Sequence, residues 1–368
     1  MSVELEIQLV AVVVAVSCAL SGVFLVLRRM ALMSDAISHT VLLGIVLGFF
    51  ITRDIGSPFL ILGAALVGVA TVWLVELLTR TRLLREDAAI GLVFTALFSI
   101  AVILISRYVG SVHLDTDAVL LGEIAFAPFR RLELGGTDLG PRTLWVMGSV
   151  LLLNICFIAL FYKELKLSTF DAGLAAALGF SPALLHYAFM TLVSVTAVGA
   201  FDAVGSILVI ALMIAPPATA CLLSDRLDRV LLLSAAVAAA AALIGFWLAW
   251  IVDASIAGCM ATAAGALFLL AFLFAPDRGI VSVTRRRARQ RWEFARLMLA
   301  IHLLNHEGTA AYDAESREEH LSDHLRWEPA FARRVVRESE ATGLLQRKNG
   351  RLVLTAHGRE TAVRAMQV

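Results

Sequence analysis

The sequence is short of charge and has almost no cysteine. Asp, Glu, Lys and Arg make up 17% of 368 residues, against 60% hydrophobic ones. Soluble domains carry about a quarter charged residues and nearly half apolar. The shortage is uneven: apolar residues fill the first three quarters of the chain and then give way. That distribution excludes a purely soluble protein and points to many membrane spans followed by a soluble tail. The four cysteines, Cys18, Cys156, Cys221 and Cys259, lie singly in apolar runs. They read as small core hydrophobes, not as a disulfide framework. No basic n-region precedes the first apolar run, which carries Glu4 and Glu6 instead, so that run is expected to stay as a membrane helix. Nowhere does G-x-x-x-x-G-K-[ST] occur, so the chain has no P-loop of its own. The formal net charge of +1 says little about partners, because the charges are segregated.

A spanning helix needs about 20 mostly apolar residues. Nine segments qualify: 5–27, 36–52, 57–79, 86–106, 143–162, 183–201, 204–223, 229–252 and 254–275. The sixth and seventh are separated only by "FDAV", so eight spans is the alternative. Arg28 and Arg29, then Arg80, Arg82 and Arg85, Lys163 and Lys166, Arg226 and Arg229, and Arg278 with the run "RRRARQR" (285–291) follow alternate segments. By the positive-inside rule these loops are cytoplasmic, with the N-terminus outside and the C-terminus inside. The connector 107–142 contains "TDAVLLGEIAFAPF" (116–129), apolar but too short to cross, and predicts a re-entrant or surface helix.

Polar residues inside such spans are costly. "MSDAISHTVLLG" (33–44) holds Asp35 and His39 at i, i+4, with Ser38 beside them; on a helix they share one face. An aspartate near the bilayer centre costs roughly 2.5–3.5 kcal/mol, normally offset by a partner, a cavity or an ion. Carboxylate plus neutral imidazole is half a transition-metal site. Asp35 can equally be the N-cap of a helix starting near Ala36. Glu76 is placed to snorkel, Asn154 to bond between helices. Asp202 and Asp253 fall at predicted outer ends, and Glu123 in the re-entrant stretch. His113, Asp115 and Asp117 form an outer acidic cluster that reads as a solvated loop or as a metal-attracting surface.

After the fifth segment, "KELKLSTFDAGLAAALGFSP" (163–182) breaks the membrane pattern. It predicts a short helix outside the bilayer, capped at Ser168-Thr169 and ended by a left-handed Gly179.

These stretches, taken in order, resemble the permease subunits of manganese, zinc and iron ABC importers. "MSDAISHTVLLGIVLG" (33–48) is similar to the family's G-D-A-x-S-H-A-V-L-P-G hallmark, and "LLGEIAF" (120–126) to its "FGDIL" stretch. "FDAGLAAALGFSP" (170–182) resembles its coupling segment, and "VGSILVIALMIAPPATA" (204–220) its "VGxLLVxALLxxPAxxA" helix. Ser34, Thr40, Leu43, Glu123 and Asp202 depart from the family's usual residues. The resemblance implies that Asp35 and His39 are metal ligands on the permeation path, with Glu123 and Asp202 as further candidates. It implies ATPase coupling through Phe170, Asp171, Leu178 and Gly179. It implies a separate ATPase subunit, an extracytoplasmic metal-binding protein, a second permease copy or homologue, and a bacterial-type inner or plasma membrane. No cofactor is expected to stay bound: the metal is cargo. Importers of a metal chelate, and a membrane-anchored metal-responsive transcription regulator, are the alternatives.

The tail, 292–368, behind a basic linker at 279–291, predicts helices at 291–308, 316–327 and 328–346. Two short strands around Asn349-Gly350 and a helix at 356–366 follow. "GLLQRKNGRLVLTAHGRETA" (343–362) resembles the wing of metal-dependent, diphtheria-toxin-repressor type winged helices. Arg333, Arg334 and Arg337, with Arg347, Lys348 and Arg351 on the wing, would face DNA. The tail holds eleven basic and eleven acidic residues, however, where DNA-binding modules are basic, so a protein–protein role is favoured. His302/His306 and His320/His324 are two i, i+4 pairs. They read as solvated helix faces or as a regulatory metal site that stops import. The expected class is thus an all-α polytopic permease domain (1–278) with eight or nine spans, carrying a small α+β winged-helix domain.

Overall fold

The computed structural model describes residues 2–53, 58–108, 124–134, 137–309, 312–318, 321 and 325–367. They form two compact units, Met1–Gly279 and Ile280–Val368.

In the first unit the helices are α1 (Val3–Leu27), α2 (Ala31–Thr52), α3 (Pro58–Arg80), α4 (Glu86–Tyr108) and α5 (Arg142–Leu160). Two short helices, α6 (Tyr162–Phe170) and α7 (Ala172–Ala177), precede α8 (Pro182–Leu223), α9 (Leu227–Val252) and α10 (Ile256–Phe274). Eight of these are long and apolar enough to cross a membrane, among the described residues. α1 is the hub. Val10, Val14, Cys18 and Val23 are fully buried, because α8, α9 and α5 pack around it. Along α2, Gly44 and Gly48 form the small-xxx-small spacing that lets backbones approach. A Cβ on Gly44 would run into the Ala64 backbone of α3.

α8 is 42 residues long, twice what a bilayer needs. It folds back on itself at Gly205, whose φ 76° and ψ 167° leave the helical region and suit glycine alone. Three contacts trace the reversal. His186 lies by Arg28 at the C-terminal end of α1. Asp202 pairs with Arg130, while the next residue, Arg131, pairs with Glu6 near the N-terminal end of α1. Met213 then backs onto Gly22, towards the C-terminal end again. The two halves, joined by "FDAV", are therefore one continuous element carrying two passes.

Of the connector 107–142, residues 124–129 form a 3-10 turn, Ile124–Phe129. A hairpin, β1 (Arg131–Leu134) and β2 (Thr137–Pro141), follows. Patterning did not predict that hairpin. Arg131 holds it down, pairing with buried Glu6 at 3.2 Å and with Asp138 at 2.7 Å. The backbone N–H of Gly140 and the Arg131 guanidinium together hold the Asp138 carboxyl below its ordinary range. Glu123, and His113, Asp115 and Asp117, lie outside the described residues.

The second unit begins with α11 (Ile280–His306), so the basic run 285–291 is helical where a linker was expected. Then come α12 (Tyr312–Glu315), α13 (Pro329–Ala341), the antiparallel pair β3 (Leu345–Lys348) and β4 (Arg351–Leu354), and α14 (Ala356–Met366). Asn349 and Gly350 both have positive φ, the geometry of a type I′ hairpin turn. Leu299, Leu303, Val335, Val336, Leu345 and Leu352 build a core of its own. Of the helix expected at 316–327, residues 319, 320 and 322–324 fall outside the described residues.

Candidate functional site: a carboxylate–imidazole pair and its surroundings

α2 begins at Ala31, five residues before the sequence expectation, and its N-cap is Met30. Asp35 is therefore inside the helix, and its role as an N-cap is excluded. Instead Asp35 Oδ1 lies 3.3 Å from His39 Nε2, one turn away. At 1.5 Å per residue the two sit roughly 6 and 12 Å along α2. The other polar groups of this stretch are turned to structure. Thr40, fully buried, accepts a 2.9 Å hydrogen bond from Thr71 of α3, and Ser38 donates to the Ser34 carbonyl. On the pair's own side, the His39 ring lies 5.5 Å from Phe94 and 5.8 Å from Phe98 of α4. The Asp35 and His39 side chains remain partly exposed. An exposed acid and imidazole on a helix this apolar call for a partner or a polar path. Two donors make half of a metal's coordination shell, and the rest must come from elsewhere.

Asp202 is not brought to this pair. It sits beside Arg130, with the hairpin and the N-terminal end of α1, whereas Asp35 follows the C-terminal end. A second polar group does gather on Asp35's side of the unit: Glu76, Glu86 and His186 line a cavity of about 290 Å³ with Met33 and Thr79. Glu76 is also held by Arg80 at 2.7 Å. The sequence marks Glu76 only as a snorkelling residue and does not single out Glu86 or His186. Their one signal is the placing of acids and a histidine within a few residues of apolar helix ends.

The segment after α5 is tied in by Arg28. Its guanidinium donates to Thr169 Oγ1 at 3.1 Å and Ser168 Oγ at 3.0 Å, and lies 3.4 Å from His186 Nδ1. The Arg28 head also sits 5.3 Å from the Phe189 ring centroid. One residue thus joins the ends of α1, α6 and α8. Ser168 and Thr169, expected as caps, lie inside α6 and serve this junction. The caps are Asp171, which accepts from the Leu174 N–H at 2.9 Å, and Ser181. Gly179, with φ 88°, ends the turn in the left-handed region. Phe170, Leu174, Leu178 and Phe180, on α7 and the residues flanking it, are left exposed, an apolar set outside the spans.

In the second unit His302 and His306 meet Glu315 among the described residues; His320 and His324 lie outside them. The arginines expected to face DNA are partly spent within the unit. Arg334 pairs with Glu338 and covers Trp292, Arg351 pairs with Asp313, and Arg347 with Glu318 and Glu340. The hydrogen bond to Glu340 holds the Arg347 guanidinium above its ordinary pKa.

Residues 4–275 match the ABC 3 transport family. The chain is 50% identical over 354 residues, 96% of both chains, to the zinc transport system membrane protein TroD of Treponema pallidum (strain Nichols). It is 46% identical over 295 residues to the manganese transport system membrane protein MntD of Bacillus subtilis (strain 168), covering 80% of this chain and 100% of that one. Among solved structures, PsaBC from Streptococcus pneumoniae in complex with Fab superposes with a TM-score of 0.65 at 27% identity, covering 77% of this chain and 96% of that one.

Proposed function

The chain belongs to the ABC 3 transport family, and from that premise we propose that it is the membrane permease subunit of an importer for a divalent transition metal ion, manganese, zinc or iron. One observation carries the choice of cargo: an aspartate and a histidine 3.3 Å apart on an apolar helix, in a chain half identical to a protein named for zinc transport. Soft or borderline divalent ions accept imidazole, and carboxylate extends the range to manganese. Asp35 and His39 are the path ligands. Their exposed face is completed by a second permease copy or homologue, which also covers the polar side chains from lipid. Asp202, beside Arg130, belongs to the outer mouth, and Glu76, Glu86 and His186 to the inner one.

ATP hydrolysis comes from a separate ATPase subunit, which docks on the exposed Phe170, Leu174, Leu178 and Phe180. Asp171 and Gly179 act there by shaping α7, as cap and as terminator. Arg28 carries the push of that helix into α1 and α8, so that the path opens alternately to either side. An extracytoplasmic binding protein delivers the ion. The N-terminus lies outside, and residues 280–368 lie in the cytoplasm. This second unit is a winged-helix-like domain that serves protein contacts, with so many of its arginines engaged by its own carboxylates.

The test is reconstitution of the chain with its ATPase in liposomes loaded with a metal-sensitive dye, with manganese, zinc and iron offered in turn. ATP-dependent entry of at least one ion is expected. Entry of a metal chelate with exclusion of the free ions would overturn the cargo assignment.

A further inference from the structure

The second unit contains a three-donor cluster that transport does not use. His302 and His306 occupy the last turn of α11 and, at i, i+4, lie on one face. Their rings are 4.8 Å apart, centroid to centroid. Gly308, with φ 82°, takes the chain out of the helix, and α12 brings Glu315 back against the pair. Glu315 Oε2 lies 3.4 Å from His302 Nε2. One donor atom from each of the three residues falls within 4.8 Å of the others.

Two features show that this carboxylate is held where it is. The carbonyl of Ser316, the next residue, accepts a 2.8 Å hydrogen bond from the Leu352 N–H of β4. The neighbouring acids Glu307 and Asp313 turn to Arg359 and Arg351, so that among the described residues Glu315 is the acid set against the imidazoles. Glu315 and His302 are about nine-tenths buried as side chains, while His306 is half-buried. Zinc bonds to imidazole nitrogen and carboxylate oxygen are about 2.0–2.2 Å long, which puts donors about 3.3 Å apart around a tetrahedral ion. His302 and Glu315 already stand at that spacing, and the half-buried His306 offers a donor within 4.8 Å of both.

We infer that His302, His306 and Glu315 form a transition-metal site in the second unit, separate from the transport path and independent of which ion that path carries. Two imidazoles and one carboxylate favour zinc-like ions over manganese, in the usual order of affinities. The fourth position is left to water. A bound ion clasps the end of α11 to α12 and, through Ser316, to the β3–β4 hairpin. Import can then respond to the metal that accumulates around this unit.

The experiment uses the full chain, purified metal-free in detergent, titrated with Zn²⁺ and, for its visible spectrum, with Co²⁺. Wild type, His306→Gln, Glu315→Gln and, as a control on the path, Asp35→Asn are compared. Wild type and Asp35→Asn are expected to develop the intense visible bands of four-coordinate Co²⁺. In His306→Gln those bands are expected to be lost and Zn²⁺ affinity to fall at least about 10-fold, since even removing a ligand's supporting partner costs 10- to 100-fold. His306 is half-buried, so its variant tests the site even if Glu315→Gln fails to fold. Hydrogen exchange over 312–315 is expected to slow on Zn²⁺ addition in wild type and Asp35→Asn but not in His306→Gln. Bands and affinity unchanged in His306→Gln, or their loss in Asp35→Asn alone, would overturn the assignment.

Discussion

Replacing Arg28 by methionine is expected to uncouple the transporter without dismantling it. Methionine keeps most of the side chain's length and apolar contact but removes the guanidinium. Arg28 gives two hydrogen bonds to hydroxyls of α6, at 3.1 and 3.0 Å. Bonds to a charged group are worth about 1.5–3 kcal/mol each, and the contact with Phe189 adds about 0.5–1 kcal/mol. The terms are not additive, and Arg28 is only half-buried, so about 3 kcal/mol is a fair size for the junction. That equals a factor of about 100 in the equilibrium that keeps α6 fixed to α1 and α8. The global fold rests on the large α1 core and is expected to survive. In liposomes containing the ATPase, ATP turnover should persist while metal entry per ATP falls at least about 10-fold. Arg28→Lys discriminates the junction from a plain membrane anchor. One ammonium cannot span Ser168, Thr169 and His186 as a planar fork does, so lysine should restore little. Full rescue by lysine, or wild-type coupling in the methionine variant, would refute the role of Arg28 as a mechanical joint.

Further outcomes follow from single contacts. Gly22→Ala drives a Cβ into the Met213 carbonyl oxygen. Overpacking of this kind costs about 1–3 kcal/mol, so thermal unfolding in detergent should shift several degrees lower; an unchanged midpoint contradicts the packing of α1 on α8. Leu178→Glu puts a charge into the exposed apolar cluster at α7, and should abolish co-purification of the ATPase while leaving the permease soluble in detergent. The Asp138 carboxyl has a lowered pKa; its support of the β1–β2 hairpin is therefore complete at neutral pH. That support declines only below the ordinary aspartate value of about 3.9 and is lost as pH falls through the lower folded value. Exchange protection of residues 137–141 should hold at pH 5, and its loss there would contradict the pairing with Arg131.

What the sequence revealed and what it hid divide along physical lines. Spans were legible because a bilayer demands length and apolarity in one contiguous stretch, and the Asn349-Gly350 turn because both residues tolerate positive φ. The i, i+4 spacing of Asp35 and His39 places them on one face of any helix that contains both, but their standing inside α2 depends on where that helix starts. Met30 supplies no side-chain cap there, so nothing local marks the start. Ser168 and Thr169 looked like caps because hydroxyls before a helix usually are; their partner, Arg28, is 140 residues away and invisible to a local pattern. The hairpin at 131–141 has strands too short for alternation and is held by Glu6, 125 residues from Arg131. Glu315 joins His302 and His306 only because Gly308 takes the chain out of α11, while the histidines alone announce themselves by spacing.

The role of Asp35 and His39 is tested most directly by metal entry in the reconstituted complex for Asp35→Asn and His39→Gln, with ATPase assembly checked in the same samples. Both substitutions preserve shape while weakening donor character. Entry of the preferred ion should fall at least about 100-fold in each with the complex intact. Normal entry in both would remove the pair from the path and move the ligands to the Glu76, Glu86 and His186 cavity.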